Sequence, residues 1–172
     1  MAGFTKKHIL SLLTDLAGRL YKQGIQGEIG VVGGAALVIA FDARVATKDV
    51  DAIFKPSNAI RKSVSAIARE HGLPEDWLND GVKGFLPGNP KQKVIILDVP
   101  GLRVWVPEPE YMLAMKAISA RVDTQDADDL KLLIRKLGIK KKDGVFSIIE
   151  KYYPSRRVPA KVTFFVEELF EK

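Results

Sequence analysis

The sequence predicts an α/β protein of the α+β kind: a small mixed β-sheet flanked by helices, followed by a C-terminal helical region. Three observations carry this. Short apolar runs bounded by glycine or proline fall at 28–32, 50–54, 93–99 and 102–106, with the length and composition of strands. Apolar residues recur at helical spacing over 5–23 and over the stretch that follows Ser57. Beyond residue 107 only helical periodicity is legible. The expected division is therefore 1–106 for the core and 107–172 for a helical region.

The elements follow in order. Ile9, Leu12, Leu13, Leu16, Ala17 and Leu20 form one face of a first helix, ended by Gly24 and Gly27. Glu28 to Val32 is a strand, Ala35 to Phe41 a short helix, and Val50 to Phe54 a second strand closed by Pro56. Ser57 is placed as the N-cap of the next helix. That helix turns Ile60, Val64, Ile67 and Ala68 inward and stops at Gly72. Residues 72–92 carry four glycines and three prolines. This reads as a long loop, either a flap in which Trp77 or Phe85 stacks on a base or a segment whose two aromatics pack it to the body. Two strands meet at Pro100-Gly101, a turn signal. Helices are then expected from Pro107-Glu-Pro-Glu to about Ala120, over 124–137, near 143–153 and at the C-terminal end, where Val162, Phe165, Val166 and Leu169 share a face.

Composition bounds the function. The 172 residues are 47% hydrophobic and 28% charged, the profile of a soluble globular chain. No apolar run reaches the roughly 18 residues of a membrane helix. No signal peptide is visible, so the reading expects a cytoplasmic protein without a membrane partner. There are no cysteines and two histidines, His8 and His71, which excludes disulfides and gives no zinc set. Net charge is +6, and residues 131–172 hold eleven Lys/Arg against five Asp/Glu. A basic C-terminal region suits a polyanionic partner such as RNA.

The chemistry is concentrated in Ile29 to Phe54, IGVVGGAALVIAFDARVATKDVDAIF. Asp49 and Asp51, read as two positions of one strand, point the same way, while Val50, Ala52 and Phe54 turn to the other side. Adjacent carboxylates repel unless a proton or a cation intervenes. Hard oxygen donors suit Mg2+ shared with substrate phosphates. About 15 residues earlier, Gly33-Gly34 opens a helix whose free N–H groups favour phosphate. A metal site and a phosphate cradle together point to phosphoryl or nucleotidyl transfer. Later in the chain Lys116 interrupts a helix that is otherwise apolar nearly all round, so its ammonium needs a phosphate or a carboxylate. Asp126 and Asp129 extend the inner stripe of the following helix and are candidate partners for Lys116 or Arg121. Asp128 lies on the outer side.

The glycine turn, short helix and Asp-x-Asp strand resemble the signature of the DNA polymerase β nucleotidyltransferase superfamily. Arg44, Thr47, Asp49 and Asp51 as R-x-x-T-x-D-x-D, after GGAAL, are most similar to the AbiEii/AbiGii-type toxins. A second block of that group is matched by Lys116, Arg121, Asp126, Asp129 and Leu130, with Gln125 where a basic residue is expected. The two blocks cover about 29–54 and 108–134.

The resemblance implies a polymerase-β-like core and Mg2+ (or Mn2+) held by Asp49 and Asp51, with Asp98 in the position of a third carboxylate. It implies an NTP held by Gly33, Gly34, Thr47, Lys116, Arg121 and Asp129, with Asp49, Asp51, Lys116 and Asp126 catalytic. It also implies transfer of NMP to an RNA acceptor, tRNA foremost, and a toxin role with a cognate antitoxin protein. Two alternatives keep the same site: a transferase acting on a small molecule, and a silent module that binds NTP or nucleic acid without turnover.

Overall fold

The computed structural model describes residues 3–121 and 124–171, Thr124 by its backbone alone. The chain divides into two compact units, residues 1–83 with 93–106 and residues 84–92 with 107–172. Among the described residues no helix is long and apolar enough to cross a membrane.

The first unit holds β1 (Phe4–Thr5), α1 (Lys6–Lys22), β2 (Gly27–Val31), α2 (Gly33–Ile39), β3 (Ala46–Thr47), β4 (Val50–Lys55), α3 (Ser57–His71), β5 (Leu78–Asn79), β6 (Lys93–Val99) and β7 (Leu102–Pro107). The helix α1 starts where the Thr5 hydroxyl accepts from the His8 N–H, satisfying one orphan donor. It buries the expected stripe, Ile9 to Leu20, each such side chain contributing about 1.5–3 kcal/mol.

Five strands form a mixed sheet in the order β5-β4-β2-β7-β6. β2 runs antiparallel to β4, with Val31 opposite Ala52, and parallel to β7, with Gly30 opposite Trp105. β4 runs parallel to β5. β1 and β3 form a separate antiparallel pair. The mixed sheet and flanking helices are the architecture expected. Ile29, Val31, Val50, Ala52, Val104 and Val106 are buried, as alternation along a covered sheet requires.

Three local expectations change. The helix α3 begins at Ser57, with Pro56 in the cap position, and the Ser57 hydroxyl donates instead to the Phe54 carbonyl. Its end is as expected, with Gly72 in the left-handed region at φ 62°, where glycine carries no Cβ penalty. The stretch 72–92 contains β5 and a 3-10 turn, Gly81–Phe85. Trp77 is fully buried, and its indole N–H donates to the Val64 carbonyl at 3.2 Å. Of the two roles the sequence left open for it, packing against the body and stacking on a base, Trp77 takes the first.

The second unit holds α4 (Pro109–Ser119), α5 (Thr124–Lys136), α6 (Lys142–Tyr152) and α7 (Ala160–Glu168). Tyr111, Met112, Leu113, Ala114, Met115, Ala117 and Ile118 of α4 are all buried, as an all-round apolar helix demands. The segment 84–92 is tied down by side chains of the same unit. The Tyr111 hydroxyl donates to the Gly88 carbonyl and the Tyr153 hydroxyl to the Phe85 carbonyl. The buried Glu108 carboxylate accepts from the Lys91 and Gln92 N–H groups and from the Tyr152 hydroxyl.

Candidate functional site

Two charged side chains of the first unit, Asp51 and Arg44, come up against the double glycine. β2 ends at Val31, the Val32 N–H donates to the Asp51 carbonyl at 2.9 Å, and α2 begins at once on Gly33. Gly33 sits at φ 62°, a conformation open to glycine and costly for most other residues. A Cβ built there would lie 3.2 Å from Asp51 Oδ2. A Cβ on Gly34 would lie 2.7 Å from an Arg44 terminal guanidinium nitrogen and 2.8 Å from the Thr47 hydroxyl, closer than real Cβ contacts come. The missing side chains are thus the space into which a carboxylate, a guanidinium and a hydroxyl press against the chain.

Thr47 is buried on β3, where it pairs with Phe4 of β1. Arg44 and Thr47 also line an open groove of about 570 Å3 with Phe4, Ala46, Lys48 and Pro74. The sequence quoted Arg44 within the motif without giving it a task, and the structure sets it beside the glycine turn. Its signal was the three-residue step to Thr47.

The two acids of the pair differ in setting. β4 begins at Val50, so Asp51 lies in the strand, half-buried and opposite Asn79 of β5, whereas Asp49 lies in the preceding bend and is exposed. Strand alternation therefore governs Asp51 and does not fix the direction of Asp49, which corrects the argument that both sit on one strand face. Val50, Ala52 and Phe54 are buried as expected.

Asp98 is not part of this constellation. It lies on the edge strand β6, three strand positions from β4, or about 14 Å at roughly 4.8 Å per step. Its carboxylate accepts from Arg103 at 3.0 Å, and Arg103 is opposite Glu28, near the other end of β2 from Val32. It lines a separate groove with Gln26, Gly27, Glu28, Lys55 and Arg103. Mg2+ holds its oxygens at about 2.1 Å, so one ion cannot bridge Asp51 and Asp98. The third-carboxylate expectation fails on strand order.

What remains fits a metal that travels with its substrate. Among the described residues no three or more acidic or histidine side chains gather into a metal cage. Mg2+ is ordinarily held by one or two carboxylates together with substrate phosphates and water. Asp51, against a stretch of backbone without side chains and with Asp49 two residues before it, supplies hard oxygen donors of that kind.

In the second unit, the Lys116 ammonium bonds Asp126 at 2.7 Å and Asp129 at 2.8 Å. The lysine side chain is 14% exposed and that of Asp129 is 2% exposed. Burial works against the charge of Lys116, but hydrogen bonds to Asp126 and Asp129 outweigh it and hold the pKa above its ordinary value. The second Asp126 oxygen accepts from the Arg121 backbone N–H at 2.8 Å, while the Arg121 side chain is exposed. The inward-facing acids thus serve the buried lysine, one of the pairings the sequence allowed. Two carboxylates and one ammonium leave a single negative charge, so no phosphate is needed to account for the burial of Lys116.

Neither the comparison with curated proteins nor that with solved structures gave a significant match. A family model does match, over residues 8–154, and so covers both units. It supports nucleotidyl transfer in general and does not distinguish the AbiEii/AbiGii-type group. By that match the chain belongs to the family described as "Nucleotidyltransferase of unknown function (DUF6036)".

Proposed function

We propose that this protein transfers a nucleoside monophosphate from an NTP to an acceptor hydroxyl in a metal-dependent reaction, at the double-glycine turn of the first unit. The supporting observation is the approach of Asp51, Arg44 and Thr47 to backbone that has no side chains of its own. In this reading the triphosphate lies along Gly33 and Gly34, where glycine admits close approach. Arg44 donates from its guanidinium and Thr47 from its hydroxyl to phosphate oxygens, charge-assisted bonds of the stronger kind. Asp49 and Asp51 provide carboxylate oxygens for Mg2+ or Mn2+. A divalent ion there would supply charge neutralisation of the triphosphate and acidification of the acceptor hydroxyl. The acceptor oxygen forms its bond to the α-phosphorus, the bridging bond to the β-phosphate breaks, and pyrophosphate leaves.

We assign the acceptor as an RNA end, tRNA foremost, on the basic C-terminal region and the resemblance of the motifs. A toxin role, with a cognate antitoxin that restrains it, rests on resemblance alone. Incubation with labelled NTPs, Mg2+ and total RNA tests the reading. Native protein is expected to label RNA, and Asp51→Asn to lose at least about 10²-fold in rate, the scale of removing one group that stabilises the transition state. Undiminished labelling by Asp51→Asn overturns it.

A further inference from the structure

The C-terminal helix carries an arrangement that its own stability does not call for. α7 buries Val162, Phe165 and Val166. Phe164 points elsewhere and is 64% exposed. A single exposed ring is ordinary on a protein surface; this one stands out by the charges and the groove beside it. The charges around it run against the helix dipole. Arg156, Arg157 and Lys161 stand at the start of the helix, and Glu167, Glu168 and Glu171 at its end. Dipole compensation favours the reverse order. Among the described residues Arg157 and Lys161 have no carboxylate partner, whereas Lys142 pairs with Glu167 and Lys151 with Glu110. Arg156 lies over the Tyr153 ring at 5.8 Å. Arg157, Val158, Pro159, Ala160, Thr163 and Phe164 line an open groove of about 430 Å3.

We propose that this groove and the first turn of α7 beside it bind single-stranded RNA, with Phe164 stacking on a base, Arg157 contacting phosphate from the groove and Lys161 from the adjoining helix turn. The ring offers the sequence-tolerant face on which single strands stack, and the cations the electrostatic track. Glu168, four residues after Phe164 on the same side of the helix, puts a negative charge beyond the groove toward the end of α7. The strand is therefore held at the start of α7 and turned away from its end. The identification of the ligand as an acceptor rests on the nucleotidyl-transfer reading. The binding itself does not.

The test is fluorescence anisotropy of a short fluorescein-labelled oligoribonucleotide with the full chain. Phe164→Ala is expected to weaken binding about tenfold, Phe164→Leu to behave like it, and Phe164→Trp to retain binding. Arg157→Gln and Lys161→Gln are each expected to flatten the salt dependence of log K by about 1. Because the ring is exposed, thermal midpoints should be unchanged. Native affinity in Phe164→Ala overturns the proposal, and so does equal affinity of the native chain for an oligonucleotide of abasic sugars. Equal displacement by a mononucleotide would make this a nucleotide site instead. Loss of a protein partner on Phe164→Ala, with RNA affinity intact, would make it a protein-docking face. The two readings fail separately. RNA labelling with unchanged KM in Phe164→Ala sinks this proposal alone, and Phe164-dependent binding without any NMP transfer sinks the enzymatic reading alone.

Discussion

The double-glycine turn and the Lys116 cluster both bring charged side chains together, and they differ in what lies beside those charges. In the second unit the charges answer one another: an ammonium sits between two carboxylates, all three largely buried. In the first unit Asp51, Arg44 and Thr47 crowd against residues that contribute no side chain at all. A buried lysine in an apolar helix called in sequence for a phosphate or a carboxylate. The structure supplies its partners from the chain itself. Polar side chains drawn up against backbone that carries no side chain of its own are the better mark of a place for a ligand, because groups that can bind phosphate and metal then stand beside backbone a substrate can approach closely.

The sharpest way to break this contrast is Lys116→Met. It strands the two carboxylates, and removing one partner of a buried pair costs about 3–5 kcal/mol. Urea unfolding is the measurement. The combined Lys116→Met, Asp126→Asn, Asp129→Asn variant is expected to regain most of that stability. If it also regains NMP transfer, the cluster is structural. If stability returns without transfer, the cluster is catalytic and the contrast collapses.

Gly34→Ala probes the other side. The added methyl meets Arg44 and Thr47 below 3 Å, and overpacking of this kind costs about 1–3 kcal/mol. A rise in KM for NTP larger than the stability loss explains is expected. Unchanged KM and unchanged melting would remove the crowding on which the first unit's site rests.

The Glu108 clasp gives a smaller, pH-dependent effect. Burial pushes its pKa up, but the Tyr152 hydroxyl and the N–H groups of Gln92 and Lys91 outweigh this and hold it below the ordinary 4.5. A depressed carboxylate pKa contributes stability above the ordinary value, and that contribution is lost as pH falls through the folded pKa. Tyr152→Phe is expected to cost about 1 kcal/mol at neutral pH and to make the acid-side loss of urea stability shallower. An acid limb as steep as in the native chain would refute the assignment.

Asp98→Asn should do least. Its pair with Arg103 is exposed on both sides, and solvent screening leaves such pairs little net effect on stability. Transfer rates are expected to be unchanged. A large loss would restore Asp98 to the metal site and contradict the strand order.

Much of the fold was legible because it is local. The α1 stripe, the glycine stop of α3 and the turn at Pro100-Gly101 follow from spacing and backbone preference within a few residues. The N-cap of α3 was misplaced by one residue because Pro56 takes that position ahead of Ser57. Trp77 was ambiguous because a loop aromatic carries no periodic signal, and only the Val64 carbonyl, 13 residues earlier, reveals its place.

The sequence by itself determined which residues could meet along one strand, one turn or one helix face: the glycine pair, Asp51 with its buried neighbours Val50 and Ala52 turned the other way, and the inward stripe that carries Asp126 and Asp129. Only the tertiary structure decided which distant residues they meet. The lateral order of the strands removed Asp98, and the path of the chain through residues 40–47 brought Arg44 and Thr47 onto Gly34. The reason is physical: backbone periodicity is set by neighbours in sequence, whereas strand order and side-chain partnership are set by how separate elements bury their apolar faces together.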